Sequence, residues 1–458
     1  MTPGAAETAV TAVGVSGSEG QPRVRHLGTW AATAMVVTEV VGVGIFLTPA
    51  TMMRNLGSIW AALGVWATMG VLTAAGALCY AELATRFPKA GGGYVFLREA
   101  FGPRYAFVYG WMALLVMDPG LAAALSIGLA RYLLVTFDGS PHLVPAVAIA
   151  CIAGFGLLTL LGLNVSARVM RWTAIAKLAI VAVLIGAGAV RAATSGVPTA
   201  SQGSAFEAFG PGALAATIIA AFFAFGGWWE VGRMSEEVES PRRTMPRALI
   251  GGVAIVAVMY ALVSVAFMLT TSAGVTGSDE AFVSMVGAVL FGDLAGRLLS
   301  AMVVIAVGGS LAAVLLGAPR IYLAMARDGL FPRRLAAFDA TRGTSPGGTL
   351  IQLSLACILI LLGTFDEILG YFVPGAVFFL GLSAAAVLKL PRPKPNEPIF
   401  RAPLHPLPIA VFLVLIVGVL ILFVVGQPKQ TLLGAAVVAL GVPLSWLVVP
   451  RRRALSQP

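Results

Sequence analysis

Three carboxylates and one amine lie inside stretches of this chain that are otherwise apolar: Glu39, Asp118, Glu230 and Lys177. Two of them flank unusual glycine sequences. Glu39 comes just before Val40-Val41-Gly42-Val43-Gly44-Ile45-Phe46, and Glu230 just after Phe223-Ala224-Phe225-Gly226-Gly227-Trp228. A charge at mid-depth of a bilayer costs roughly 2.5–3.5 kcal/mol on insertion scales and usually marks an ion path or an internal pair. Glycine at that depth lets the backbone leave helical geometry, and the freed polar groups then need partners that hydrocarbon cannot supply. At the first break, a half-helix beginning near Val43–Ile45 presents free N–H groups and a positive dipole end to an anion such as a carboxylate. The half-helix ending near Val40–Val41 presents carbonyls that suit an ammonium. A molecule carrying both groups on one carbon bridges the two ends, and the second break offers similar carbonyls around Phe223, Gly226 and Gly227.

Each feature also has a plainer explanation. One glycine pair alone is accounted for by close helix packing; two at matching places in two halves of a chain point to a transporter's binding site. Lys177 would snorkel if it stood near a span end, but it falls about ten residues into its window. Glu39 and Glu230 read equally as proton sites, as counter-charges for a cationic ligand, or as satisfied pairs with a neighbour such as Lys177 or Arg233. For Asp118, which precedes Pro119, the structural pair is favoured. Trp228 and Trp229 lie too deep for interfacial anchors and could wall a cavity; Phe223 reads as a lid or as a core aromatic. His26, His142 and His405 fall in loops, and Cys79, Cys151 and Cys357 in apolar runs without metal-like spacing. No Walker-type loop or Ser–His–Asp order is present. ATP-driven pumping, enzymatic hydrolysis, a metal and a cofactor are therefore not expected.

The elements that must hold these residues are membrane spans. The 458 residues are 59% hydrophobic and 11% charged, against about 25% charged in soluble proteins. About twelve windows can cross a ~30 Å core as helix: 29–52, 59–84, 105–135, 143–163, 167–190, 213–232, 248–271, 296–325, 349–362, 368–388, 407–425 and 431–449. The runs are continuous, which excludes the alternating pattern of a barrel. With both termini cytoplasmic, 24 of the 30 basic residues fall on the inner side, Arg233 and Arg320 among them, and 5 on the outer. That asymmetry sets the orientation and accounts for the net charge of +10 without nucleic acid. Basic loops on that side also attract anionic lipid.

The broken runs are spans 1 and 6. An offset of five spans fits two five-helix repeats of opposite topology, with spans 11 and 12 outside them. The expected organisation is a disordered cytoplasmic tail over 1–28, a ten-helix core over 29–390 with repeats near 29–190 and 213–390, two appended helices over 404–450, and a cytoplasmic tail over 451–458. Residues 274–293 carry Phe282, Met285, Val286, Val289 and Leu290 at helical spacing and suggest a short outer helix. Between spans 2 and 3, Gly91-Gly92-Gly93 makes a turn into a segment with Tyr94, Leu97 and Phe101 on one face and Arg98 and Glu99 elsewhere. It reads as an amphipathic interfacial helix or as a plain connector.

These motifs together resemble the amino acid–polyamine–organocation superfamily, most closely its L-type amino acid transporter branch. The resemblance rests on Gly42-Val43-Gly44-Ile45-Phe46, Pro88-Lys89-Ala90-Gly91-Gly92, Ala176-Lys177-Leu178, Phe223 through Trp228 on to Ser235-Glu236-Glu237-Val238 and Pro241, Ala326-Arg327-Asp328-Gly329-Leu330-Phe331-Pro332, and Arg401-Ala402-Pro403. It implies the sodium-symporter-like fold, five plus five inverted helices with the substrate held at discontinuous spans near the bilayer midplane. It also implies α-carboxylate binding at the amides of Val43 and Gly44, amine binding at the carbonyls of Val40, Phe223 and Gly226, and gating by Phe223. Lys177 would then stand where sodium-coupled relatives hold an ion, facing span 1 and Ser310 of span 8. The chain departs from the pattern at Val43, usually a small polar residue, at Glu39 and Glu230, usually uncharged, and at Asp118, often arginine in the L-type branch.

The expected function is sodium-independent amino acid transport across the cytoplasmic membrane by alternating access, as an exchanger or a proton symporter. The alternatives are a polyamine or amine exchanger on the same fold, and a membrane sensor that binds an amino acid without moving it. Animal L-type transporters pair with a single-span partner through an extramembrane cysteine. No cysteine falls in a predicted outer loop here, so that covalent partnership is not expected.

Overall fold

Apolar runs become helices in this chain because a helix satisfies its own backbone polar groups where no water can. A computed structural model describes residues 28–42, 44–89, 91–161, 163–195, 211–270, 283–284, 287–288, 292–337, 339, 344–394, 397 and 399–449. The expectations placed on Val43, on both tails, and on Phe282, Met285, Val286, Val289 and Leu290 fall outside these residues.

Span 1 is two half-helices, α1 (Thr29–Val40) and α2 (Gly44–Leu56). Spans 2 to 5 follow as α3 (Ile59–Arg86), the short α4 (Gly93–Phe101), α5 (Pro103–Met112) and α6 (Asp118–Thr136) as one span, α7 (Val144–Leu160) and α8 (Leu163–Ser195). A π-turn at Ala113–Met117 joins α5 to α6 and sets Asp118 at the start of the second piece. Span 6 is α9 (Pro211–Ala224) and then a 3₁₀ helix, Trp228–Glu237. Next come α10 (Pro241–Thr270), α11 (Asp293–Gly317) with its continuation α12 (Pro319–Arg327), α13 (Pro346–Leu362), α14 (Phe365–Lys389), α15 (Leu407–Gly426) and α16 (Pro428–Val448). Among the described residues, 10 helical stretches are long and apolar enough to cross a membrane. The broken span 1 and the 17-residue α13 bring the crossings to twelve. Large apolar side chains such as Leu157, Leu361, Val414 and Leu447 stand exposed around the outside, as a lipid-facing surface requires.

Spans five apart in order pack on one another at several places. α3 packs on α10 and α6 on α11, while span 1 pairs with span 6 half by half: α1 against the 3₁₀ helix and α2 against α9. Trp66 Nε1 donates to Ser264 Oγ at 2.6 Å across the α3–α10 contact. Two glycines allow spans 1 and 6 to approach. A Cβ on Gly44 would lie 2.6 Å from Ala224 Cα, and one on Gly227 would lie 2.8 Å from the Glu39 carbonyl oxygen. Gly227 also holds φ +107°, in the left-handed region that glycine tolerates.

α4 is more deeply seated than an interfacial helix. Tyr94, Val95, Phe96 and Leu97 are all buried in protein, with the Phe96 ring 5.7 Å from that of Tyr80. Arg98 Nη1 and the Tyr94 hydroxyl both donate to Asp328 Oδ2, just past α12, the first at 2.6 Å. Burial and then the Asp328 charge hold the Tyr94 phenol well above its usual range, so it remains a donor.

Candidate functional site

The chain leaves helical geometry where the glycine sequences predict. α1 ends at Val40, and the Gly42 N–H turns back to the Val40 carbonyl at 2.7 Å. α9 ends at Ala224, and the Gly226 N–H turns back to the Phe223 carbonyl at 2.9 Å. One side chain serves both ends. The buried Tyr260 hydroxyl on α10 lies 2.8 Å from the Val40 carbonyl and 2.9 Å from that of Ala224. Val40's oxygen thus has two donors facing it already, whereas Phe223's oxygen has one.

Between the breaks lies a cavity of about 410 Å³, bounded by spans 1, 3, 6, 8 and 10. Glu39, Val40, Gly42, Gly44, Phe223, Gly226, Gly227, Glu230 and Ser310 all line it. Two expected wall residues do not. Val41 is fully buried away from the cavity. Trp228 is packed against Tyr80 and Phe412, with centroids at 5.1 and 6.2 Å, and Trp229 takes the wall position instead. Trp228 is the first residue of the 3₁₀ helix, directly after the left-handed Gly227.

Lys177 stands behind the wall, 2% exposed. Its Nζ donates to the Thr38 carbonyl at 2.8 Å and to Ser310 Oγ at 2.7 Å. One ammonium therefore ties α8 to the last turn of α1 and to α11.

The acids fall into two groups. Arg233, counted among the basic loop residues on sequence grounds, is buried in the cavity wall. Its Nε lies 2.7 Å from Glu230 Oε2, and its Nη2 lies 3.6 Å from Asp118 Oδ1. Asp118 also accepts from the Tyr322 hydroxyl at 2.9 Å. The satisfied-pair reading thus describes Glu230 and Asp118. Glu39 differs: among the described residues its carboxylate has no hydrogen-bond or ion-pair partner within reach, although it lines the same cavity.

Phe223 lines the cavity. It meets Phe365 and Phe372 edge-on, with centroids at 5.9 and 6.4 Å, and the Arg131 guanidinium sits 5.7 Å over Phe365. From there the cavity runs to Gly317 and Arg320 at the α11–α12 junction.

Sequence reasoning offered Trp229 as a wall residue and Arg233 as a partner for Glu230, although it counted Arg233 among the basic loop residues; it missed Tyr260. Arg233 follows Glu230 by three residues, a spacing that puts opposite charges together on a helical turn. Tyr260 is a lone phenol in mid-span, and a polar group there must find an acceptor.

Two helices unwound mid-way across one largely apolar cavity that also holds three carboxylates and Arg233, inside a bundle of apolar spans, define an integral-membrane transporter. The chain belongs to the amino acid permease family, whose sequence pattern it matches over residues 27–443. It is similar to the cystine/glutamate transporter of Homo sapiens, 27% identical over 427 residues, 91% of this chain and 83% of that protein. It is also similar to the b(0,+)-type amino acid transporter 1 of Mus musculus, 28% identical over 407 residues, covering 85% and 81%. The serine/threonine exchanger SteT of Bacillus subtilis (strain 168) is 26% identical over 387 residues, covering 83% and 87%.

Proposed function

We propose that the protein moves amino acids across the cytoplasmic membrane by alternating access, without sodium, as an exchanger or a proton symporter. The observation that carries this is the pair of breaks facing one cavity, with the Lys177 ammonium bonded to the turn before the first. The substrate α-carboxylate takes the amide end of α2 at Val43 and Gly44, where N–H groups and dipole favour an anion. Its α-ammonium takes the Phe223 carbonyl, which keeps a lone pair, together with the Gly226 backbone. Val40 serves only when Tyr260 releases it. Phe223 is the gate over the bound molecule. A fixed ammonium at Lys177 supplies the positive charge that a sodium ion would otherwise bring, and so supports sodium independence.

The excess of arginine and lysine on one side supports cytoplasmic termini and an outward-facing Phe223 end of the cavity. That the named relatives are transporters and exchangers of amino acids supports the substrate class. That Cys79, Cys151 and Cys357 all lie in helices argues against an extramembrane disulfide to a partner chain.

The test is counterflow of labelled amino acids into proteoliposomes, with sodium and the proton gradient varied separately. Saturable uptake stimulated by internal amino acid, unchanged on replacing sodium with choline, is expected. Amines lacking a carboxylate should compete poorly; equal competition would favour the amine exchanger. Binding without flux would identify a sensor, and absence of both would remove the proposal.

A further inference from the structure

The cavity holds one acid that the transport reading leaves unused. Glu230 and Asp118 share Arg233, and Asp118 has Tyr322 as well. Glu39 faces the same space with no partner among the described residues. Lys177 and Arg233 act on its charge from a distance, but neither is in contact with it: the Lys177 ammonium is bonded to Thr38 and Ser310, and Arg233 to Glu230. Arg320 is itself engaged and stands ten residues past Ser310, about 15 Å further along the span.

We infer that Glu39 is a specificity-determining residue that accepts from a cationic substrate side chain, so that the cavity prefers the lysine and arginine class over neutral amino acids of the same shape. This rests on the proposal that the α-carbon groups sit at the breaks. Glu39 sits in the last turn of α1, just before the break, and lines the same cavity as Gly42 and Gly44. An ammonium or guanidinium at the end of a long side chain can reach it from a substrate held at the break. The cavity continues past Glu39 to Met35, another turn along α1, so a long chain has room. A carboxylate in a low-dielectric wall with no cation in contact is costly, and an arriving cation lowers the cost. A neutral side chain of equal length leaves it in place.

The experiment compares isosteric pairs in the proteoliposome counterflow assay: arginine with citrulline, and lysine with norleucine. For wild type, kcat/KM for each cation should exceed that of its neutral isostere by about tenfold or more, the size of one charge-assisted contact. Glu39→Gln should bring both ratios close to one, and Glu39→Asp should keep most of the preference. Size-exclusion profiles report whether the variants fold, and the wild-type ratios decide alone if Glu39→Gln does not. Transport of citrulline and arginine at equal efficiency, or an unchanged ratio in folded Glu39→Gln, would overturn the inference while leaving amino acid transport intact. Failure of wild type to carry any amino acid would instead strike the underlying function.

Discussion

A few buried side chains tie spans together through their polar ends, Lys177 among them. Its ammonium joins three spans through two short hydrogen bonds, each from a charged donor and thus worth roughly 1.5–3 kcal/mol. Lys177→Ala should cut counterflow at least tenfold in protein that still elutes as a single species; wild-type rates from this variant would remove its assigned role. Arg233 makes the complementary case. Arg233→Met strands two buried carboxylates, at a cost of about 3–5 kcal/mol for a broken buried pair. Thermal unfolding in detergent should show that loss, and Arg233→Met/Glu230→Gln should recover part of it. A double variant no more stable than the single one would mean that Glu230 is held by something else.

At the scale of elements, the breaks depend on two helices touching where glycine alone fits. Gly44 and Ala224 are so close that a Cβ would stand 2.6 Å from the opposing backbone. Gly44→Val should therefore separate α2 from α9 and abolish transport, whereas Gly64→Ala, with nothing within 4 Å, should be silent in the same uptake assay. The position of the breaks was legible in the sequence, because glycine in mid-span has few other uses. The directions of the side chains past the second break were not. The segment after Gly227 is a 3₁₀ helix, and from sequence Trp228 and Trp229 read alike as wall residues while Arg233 was counted among the basic loop residues. α4 was recognisable by its apolar face, but that the face meets Tyr80 instead of lipid depends on contacts far away in the chain.

For the whole molecule, the crossings were readable in number and order, with ends off by as much as seven residues, as at Pro241 where α10 begins, since a bilayer demands continuous apolar runs and charges fall between them. The pairing of spans 1 with 6, 2 with 7 and 3 with 8 was legible only as an offset of five; its contacts required the fold. Orientation is a prediction at this scale. A cysteine replacing Lys429, in a background lacking Cys79, Cys151 and Cys357, should react with a membrane-impermeant maleimide added to intact cells. One replacing Lys394 should react only after permeabilisation. The reverse pattern would invert the topology and place the Phe223 lid on the inner face.

The tether of Lys177 also bears on what drives the cycle. An ion that diffuses in and out does work as it runs down its own gradient. A cation attached through a side chain never leaves, so it can shape the site on every turnover but contributes no free energy to accumulation. Concentrative uptake by this protein must therefore draw on a second travelling species, either a proton or an amino acid going the other way. With neither present, net flux should stop when the two sides are equal.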